Sequence, residues 1–443
     1  MEKELAKDNL GGGIGTWRGL LALSPVAVFL SLYVAVSVII GDFYKMPIAV
    51  ALLVASVWAV AIYRGQSLMH RVDTFSRAAG HSNILYMIWV FVLAGAFATL
   101  AKEIGAIDAT VNLTMKFFPP EFLMPALFFA ACFISLSVGT SVGTVVALTP
   151  LAVEFARMVD GDVAFFVGVI LGGAFFGDNL SFISDTTIAA TRSQGCDMAD
   201  KFRANLWIAL PAAIVTLVLY IVMGTSIPEM TLDTDCNYLL ILPYIMVLAT
   251  AVAGVNVTVV LSLGIASAFV IGLIEGVAPM DMASFAGGGI NGMGELIIIT
   301  LLAAGMLGVI KAAGGIQYLL QVLTGRISGL RGAQAILVVL VGIVNLCTAN
   351  NTVAIITVGG ISRDIASRYG IDPRKSASLL DSASCVVQCL IPYGAQTLLA
   401  TSLAGISPIA PFPYLYYPWA LAAMIMLSIV FLFPRRLNRA GQH

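Results

Sequence analysis

Two aspartates, Asp178 and Asp185, interrupt an otherwise apolar stretch of the chain in the segment GDNLSFISDTT. An ionised carboxylate at the centre of a membrane helix costs about 2.5 to 3.5 kcal/mol, so such residues mark ion pathways or paired charges. Burial favours the protonated form of a carboxyl group, whereas a bound cation favours the ionised form. Residues of this type therefore predict a site at which a metal cation and protons compete.

The spacing of the two aspartates limits how they can share a cation. They are seven residues apart, so in a continuous helix they would share one face about 10 Å from each other. One hard cation, with oxygen contacts of about 2.3 to 2.6 Å, cannot reach both at that distance. Either a break in the helix folds them together, or one binds the cation and the other carries a proton. A structural alternative is that Asp185 only caps a half-helix starting at Thr186.

The composition indicates that these residues belong to a membrane protein. Of 443 residues, 59% are hydrophobic and 11% are charged, and the mean hydropathy is +0.97, which is unlike soluble proteins. The net charge of -1 gives no reason to expect a nucleic-acid partner. The six cysteines form no CxxC pair, the three histidines do not cluster, and GxxxxGK[ST] is absent. We therefore expect no enzyme, no cofactor and no ATP-driven pump.

The elements that must position the aspartates can be placed by length, since a span needs about 20 apolar residues. Two stretches, 121–158 and 332–368, are interrupted by SVGTSVGT and CTANNT, and we predict two re-entrant hairpins. Two others, 163–193 and 373–405, are interrupted by GDNLSFISDTT and LIPYGAQT, and we predict two discontinuous helices. Full spans are predicted near 19–40, 47–64, 83–101, 203–224, 238–253, 256–274, 294–311 and 413–433. The expected fold class is an all-α polytopic membrane protein with about ten transmembrane helices and two re-entrant hairpins.

An internal repeat aligns these interruptions. A shift of 210 positions places residues 84–195 on 294–405 without a gap, with Thr140–Ser141 on Asn350–Asn351 and Asp178 on Gln388. Five spans in each half, 1–224 and 225–443, would make them inverted repeats. Discontinuous helices then meet at the membrane midplane. Polar backbone at that depth requires protein or a water-filled cavity beside it, so we expect the breaks to enclose the site.

The distribution of charge predicts the topology, because Lys and Arg collect on the cytoplasmic side. With both interrupted stretches counted as hairpins, both termini are cytoplasmic. The segments then predicted to lie inside contain Arg64, His70, Arg71, Arg77, Arg192, Lys201, Arg203, Lys311, Arg326, Arg331, Arg363, Arg368, Arg374, Lys375 and the tail PRRLNR. The segments predicted to lie outside contain Glu229, Asp233, Asp235, Glu275 and Asp281. A further acid in an apolar run, Asp381, is either a third ion carrier or the partner of Arg374 or Lys375.

The segment GGAFFGDNLSFISDTTIAATRSQG, with SVGTSVGTVVALTP before it and TANNT and LIPYG after it, resembles the NhaC family of sodium/proton antiporters from about residue 80 to 420. Its most specific element is GD-x-x-S-x-x-S-D-T-T. The resemblance implies Na+/H+ exchange in the bacterial inner membrane, a homodimer, and an elevator-like movement. The candidate ion-site residues are Asp178, Asn179, Ser181, Ser184, Asp185, Thr187, Thr140, Ser141, Asn350, Asn351 and Gln388.

The chain departs from the family pattern at three places. Many relatives have Lys at the position of Asn179 and Pro at that of Phe182, and their LIPW-N motif reads LIPYG here. A missing built-in cation would change the charge stoichiometry, or an organic substrate would supply the positive group. The alternative function is therefore a sodium- or proton-coupled carrier or exchanger of a small organic acid or amino acid.

Overall fold

The structure, a computed structural model, describes residues 15–40, 47–117, 122–181, 184–224, 237–253, 255–324 and 329–434. In these ranges the regular elements are helices. They are α1 Thr16–Ile40, α2 Ile48–Ile62, α3 Leu68–Ala79, α4 Ser82–Glu103, α5 Ala106–Phe117, α6 Leu123–Val138, α7 Ser141–Met158, α8 Val163–Leu180, α9 Asp185–Gln194, α10 Met198–Gly224, α11 Leu242–Val252, α12 Val257–Ile274, α13 Pro279–Gly292, α14 Gly294–Ala312, α15 Gly315–Thr324, α16 Gly329–Thr348, α17 Asn351–Tyr369, α18 Pro373–Leu390, α19 Ala395–Ala404 and α20 Tyr416–Val430. Short 3-10 helices cover Tyr238–Ile241 and Phe412–Tyr414.

Several positions used to predict the topology lie outside the described residues. They are Glu229, Asp233, Asp235, Arg326 and the tail from residue 435. Phe182, which departs from the family pattern, also lies outside them. Within the described ranges, eight segments are long and apolar enough to cross a membrane. Five shorter apolar helices accompany them. The chain is therefore a multi-pass membrane protein built from helices.

Sequence reasoning placed no element at α13, where the structure has a helix from Pro279 to Gly292. This helix contains four glycines, which lower helix propensity. Packing explains one of them: an added Cβ at Gly289 would lie 2.0 Å from the carbonyl oxygen of Gly95 on α4. Gly289 therefore allows a close approach of α13 and α4.

The two interruptions predicted as hairpin tips are turns between helices. α6 ends at Val138, Gly139 adopts a left-handed conformation with φ 72°, and α7 starts at Ser141. In the second half, Ala349 has φ 46° and Asn350 caps α17, its Oδ1 accepting from the backbone N–H of Val353 at 3.0 Å. Such a cap satisfies one of the free N–H groups at a helix start.

The two interruptions predicted as broken helices end α8 and α18 and start α9 and α19. Their bounds differ by the same 210 residues: 163–180 against 373–390, and 185–194 against 395–404. The caps also correspond. Asp162 and Asp372 each accept from the backbone N–H two residues on, at 2.9 Å, and Gly195 and Gly405 each end the following half-helix with positive φ.

Helix packing follows the same correspondence. In the first half α8 packs against α6 and α7, and in the second half α18 packs against α16 and α17. Across the halves, α9 contacts α17 and α19 contacts α7. A second group of contacts joins α4 to α13 and α3 to α14. Each broken helix thus packs against paired helices of its own half and of the other half.

The start of α8 contacts the second half of the chain. The hydroxyl of Tyr414 donates to Oδ2 of Asp162 at 2.6 Å. Because the carboxylate stabilises the protonated phenol, it raises the pKa of Tyr414 to about 12. The start of α8 is therefore tied to the segment that precedes α20.

Candidate ion site

Asp178 lies on the last turn of α8, is 5% exposed, and accepts hydrogen bonds from three elements. Ser141, the first residue of α7, donates to Oδ2 at 2.9 Å, and Ser184, the cap of α9, donates to Oδ1 at 2.5 Å. The amide of Asn351, at the start of α17, approaches Oδ2 at 3.5 Å. Both tips and both sides of the break therefore meet at this carboxylate.

A hydrogen-bonded chain continues from Ser141 into the second half. Nε2 of Gln396 donates to Oγ of Ser141 at 3.0 Å. Nε2 of Gln388 donates to Oε1 of Gln396 at 3.1 Å and to the carbonyl of Ala349 at 2.9 Å. Oε1 of Gln388 is buried without a hydrogen-bond partner, which is costly unless a donor or cation reaches it.

Glycine allows α8 to lie this close to α6. A Cβ added at Gly177 would lie 2.3 Å from Cβ of Ser135 and 2.5 Å from the backbone nitrogen of Leu136. No real Cβ atom tolerates such distances from backbone atoms. Gly177 therefore brings the neighbouring Asp178 against the first hairpin tip.

A cavity of about 440 Å³ opens onto these groups. Since a water molecule takes about 30 Å³ in the liquid, the cavity has room for an ion and several waters. Its polar lining comes from Tyr86, Thr140, Ser141, Asp178, Asp185, Thr186, Asn256, Asn350, Asn351, Thr352, Gln388 and Gln396. Among the described residues that line it, none is Lys, Arg or His. The cavity therefore presents acidic, amide and hydroxyl groups, which favour a cation.

Four helices begin at the cavity, and this offsets part of its negative charge. The first residues of α7, α9, α17 and α19 are Ser141, Asp185, Asn351 and Ala395, and all four line it. A helix N-terminus is equivalent to about half a positive charge. The two carboxylates therefore lie among positive helix ends, which helps to keep ionised aspartates at this depth.

Asp185 differs from the expectation of a second buried acid. Asp185 is exposed. It is the first residue of α9 and lines the cavity. The cap of α9 is Ser184, whose Oγ accepts from the N–H of Thr186 at 3.3 Å. Asp185 therefore does not cap a helix starting at Thr186. Its carboxyl group faces the space that leads to Asp178.

Three other predicted residues lie beside the break and do not line the cavity. Ser181 donates to the carbonyl of Leu136 at 3.0 Å. Asn179 is fully buried, and its carbonyl and Oδ1 accept from Nδ2 of Asn205 at 2.8 and 2.6 Å. Oγ1 of Thr187 accepts from Nζ of Lys201 at 2.9 Å. These contacts hold the broken segment against α6 and α10.

Lys201 is a functional candidate that sequence reasoning missed. It was expected in an inside loop, but α10 begins at Met198 and Lys201 is 1% exposed, in a salt bridge with Asp381. The predicted partners of Asp381 are also wrong. Arg374 pairs with Asp372 at 2.7 Å, and Lys375 bonds Ser428 and the carbonyl of Phe433.

Many relatives have Lys at position 179, where this chain has Asn. Here a lysine from another helix, Lys201, lies beside that position. The ammonium of Lys201 donates to the backbone carbonyl of Asn179 at 2.7 Å. A cation therefore lies next to that residue although the side chain there is neutral. The partner Asp381 lies 180 residues away along the chain, so no local sequence pattern predicts this salt bridge.

The chain is similar to known transport proteins. The family model described as the Na+/H+ antiporter family matches residues 18–225 and 237–434. A malate-2H(+)/Na(+)-lactate antiporter of Bacillus subtilis is 21% identical over 450 residues, covering 93% of this chain and 94% of that protein. The Na(+)/H(+) antiporter NhaC of Alkalihalophilus pseudofirmus is 24% identical over 404 residues, covering 84% and 87%. The YdaH transporter structure of Alcanivorax borkumensis matches with a TM-score of 0.39 and 15% identity, covering 82% and 88%, a similarity too low to establish a shared fold.

A buried carboxylate between broken helices in a multi-pass helical chain is typical of a secondary active transporter. The chain belongs to the Na+/H+ antiporter family, and the resemblance to NhaC proteins is confirmed. It exchanges Na+ for H+ and is not an enzyme.

Proposed function

We propose that Na+ and H+ compete for the carboxylate of Asp178, and that this competition couples their exchange. The observation that carries the proposal is the placement of this buried acid among oxygen-bearing groups of both halves. A protonated Asp178 is neutral, and an ionised Asp178 is neutralised by Na+. An empty, charged site is unfavourable at this depth, so the protein reorients when the site is occupied by either ion.

The neighbouring side chains would change partners with the occupant. Ser141 and Ser184 donate to the carboxylate of Asp178 in the structure. A hydroxyl carries one donor and two acceptor lone pairs, so each can turn a lone pair toward Na+ while its hydrogen points elsewhere. The amide oxygen of Asn351 and the unpartnered Oε1 of Gln388 supply further oxygens. Asp185, Thr140 and Asn350 would attract and dehydrate the ion in the cavity.

We also propose that the halves 1–224 and 225–443 are inverted repeats, with residues 121–158 and 332–368 as re-entrant hairpins. Equal offsets of the helix bounds, corresponding caps and corresponding packing support this. The broken helices and hairpins then move together, in an elevator-like shift relative to the flanking helices. A homodimer in the bacterial inner membrane, with both termini cytoplasmic, completes the proposed arrangement.

A second candidate function is coupled transport of a small organic acid or amino acid. The cavity of about 440 Å³ exceeds the needs of one bare ion, and a similar protein carries the name malate-2H(+)/Na(+)-lactate antiporter. However, the described lining combines two carboxylates with no basic residue. A free carboxylate substrate would be repelled unless it brought a positive group or its own cations.

Proteoliposomes that contain a pH-sensitive dye separate the two candidates. If the chain exchanges Na+ for H+, Na+ added alone to one side moves protons to that side, and added metabolites change nothing. If it is an organic-substrate carrier, Na+ alone gives no signal until malate, lactate or an amino acid is supplied. The second result would overturn simple Na+/H+ exchange.

A further inference from the structure

A second buried polar site lies behind the broken segment between α8 and α9. Lys201 and Asp381 are 1% and 0% exposed, and Nζ of Lys201 contacts Oδ2 of Asp381. The same ammonium donates to the carbonyl of Asn179 at 2.7 Å and to Oγ1 of Thr187 at 2.9 Å. An ammonium has three donors, and each has an oxygen acceptor here.

These three acceptors are the oxygen types that bind a hard metal cation: a carboxylate, a backbone carbonyl and a hydroxyl. Asn179 precedes the break and Thr187 follows it, so the ammonium joins the two half-helices. The Asn179 carbonyl is free for this contact because the last carbonyls of α8 have no partner within the helix. Lys201 therefore places a positive charge among three oxygens of the types that bind a cation.

Hydroxyl groups connect this second site to Asp178. Oγ of Ser184 donates to Asp178 and lies 2.8 Å from Oγ1 of Thr186. Thr186 also acts electrostatically on Asp381, and the charges of Asp381 and Asp178 act on each other. The two carboxylates thus belong to one connected network, with a fixed cation at one end and the cavity at the other.

We propose that Lys201 is a tethered cation that fills a second cation position built on Asp381, leaving Asp178 as the single exchangeable position. This inference rests on the proposed role of Asp178. Lys201 then sets the number of ions moved in each cycle. Removing its ammonium would leave Asp381 to be neutralised by a second Na+ from solution.

The test is the number of Na+ ions bound by the purified protein, measured by equilibrium binding of radioactive sodium. We expect one Na+ per chain in the unaltered protein, two in Lys201→Met, and one again in Lys201→Met/Asp381→Asn. In proteoliposomes, the dependence of exchange on Na+ concentration should change from hyperbolic to sigmoidal in Lys201→Met alone. A single bound Na+ and a hyperbolic dependence in Lys201→Met would overturn the proposal.

Lys375→Met is the matched control. Lys375 is equally buried, but its ammonium donates to two neutral groups, Ser428 and the carbonyl of Phe433. This variant should bind one Na+.

Folding of the variants is followed by thermal denaturation in NaCl and in choline chloride. A second Na+ position is supported if NaCl raises the melting temperature of Lys201→Met more than it raises that of the unaltered protein. If Lys201→Met is unstable and Na+ does not stabilise it, although the double variant folds, the second Na+ position is contradicted. If the unaltered protein binds no Na+, the proposed function of Asp178 fails instead.

Discussion

Ser141→Ala tests whether the first hairpin tip contributes to the ion site. The variant removes the hydroxyl that lies 2.9 Å from Oδ2 of Asp178 and that accepts from Gln396 at 3.0 Å. A hydrogen bond to a charged group contributes about 1.5 to 3 kcal/mol, and each 1.4 kcal/mol is tenfold in affinity. If the hydroxyl turns its oxygen to Na+ with a similar energy, the apparent affinity for Na+ should fall about 10- to 150-fold.

Ser137→Ala is the matched control, since both serines belong to the interruption SVGTSVGT. The hydroxyl of Ser137 donates to the carbonyl of Phe133 on its own helix at 2.8 Å and does not line the cavity. The assay is the Na+ concentration that gives half-maximal dye response in proteoliposomes at fixed pH. Equal affinities of Ser141→Ala and the unaltered protein would refute the role of the tip, and so would an equal loss in Ser137→Ala.

Three further changes test the packing and the charges around the site. Gly177→Ala should lower the melting temperature in detergent and abolish exchange, because overpacking costs about 1 to 3 kcal/mol; Gly287→Ala, with no atom within 4 Å of the added Cβ, should do neither. Asp185→Asn should weaken Na+ binding by no more than about fivefold, and less at high salt, because an exposed charge contributes about 1 kcal/mol or less. Lys201→Met should destabilise the protein by about 3 to 5 kcal/mol, and adding Asp381→Asn should restore most of that loss.

Each of these expectations can be contradicted directly. An active, stable Gly177→Ala protein would mean that α8 and α6 can separate without moving Asp178. A loss of Na+ binding in Asp185→Asn as complete as in Asp178→Asn would mean that the exposed acid is itself an ion ligand. A double variant no more stable than Lys201→Met would show that the unpaired charge of Asp381 is not the cause of the loss.

Length and polarity were enough to predict where the helices break. Polar runs such as SVGTSVGT and GDNLSFISDTT cannot remain in a lipid-facing helix without partners, so their positions fixed the turn at Gly139 and the end of α8. The offset of 210 residues predicted the corresponding positions in the second half, and helix bounds at 163–180 and 373–390 follow it. The residues at each break determine its position, so the break can be predicted from a short segment of sequence.

The partners of the charged residues could not be predicted in the same way. Lys201 follows the charged segment after Arg192, where a loop was expected, and its burial depends on Asp381 in the other half. Asp185 lies in an apolar context like Asp178, yet the cavity beside the hairpin tips exposes it. Long-range packing decides such features, and a single sequence holds no signal for it.

The most direct measurement of the central claim is Na+ binding and Na+-driven proton movement in Asp178→Asn. Asparagine keeps the size of the side chain and removes its charge. Asp162→Asn is the control on the same helix, because Asn and Asp are equally good helix caps and Asp162 lies outside the cavity. We predict that Asp178→Asn folds but binds no Na+ and moves no protons. Asp162→Asn should bind Na+ and move protons like the unaltered protein. Exchange by Asp178→Asn at the rate and Na+ affinity of the unaltered protein would contradict the account.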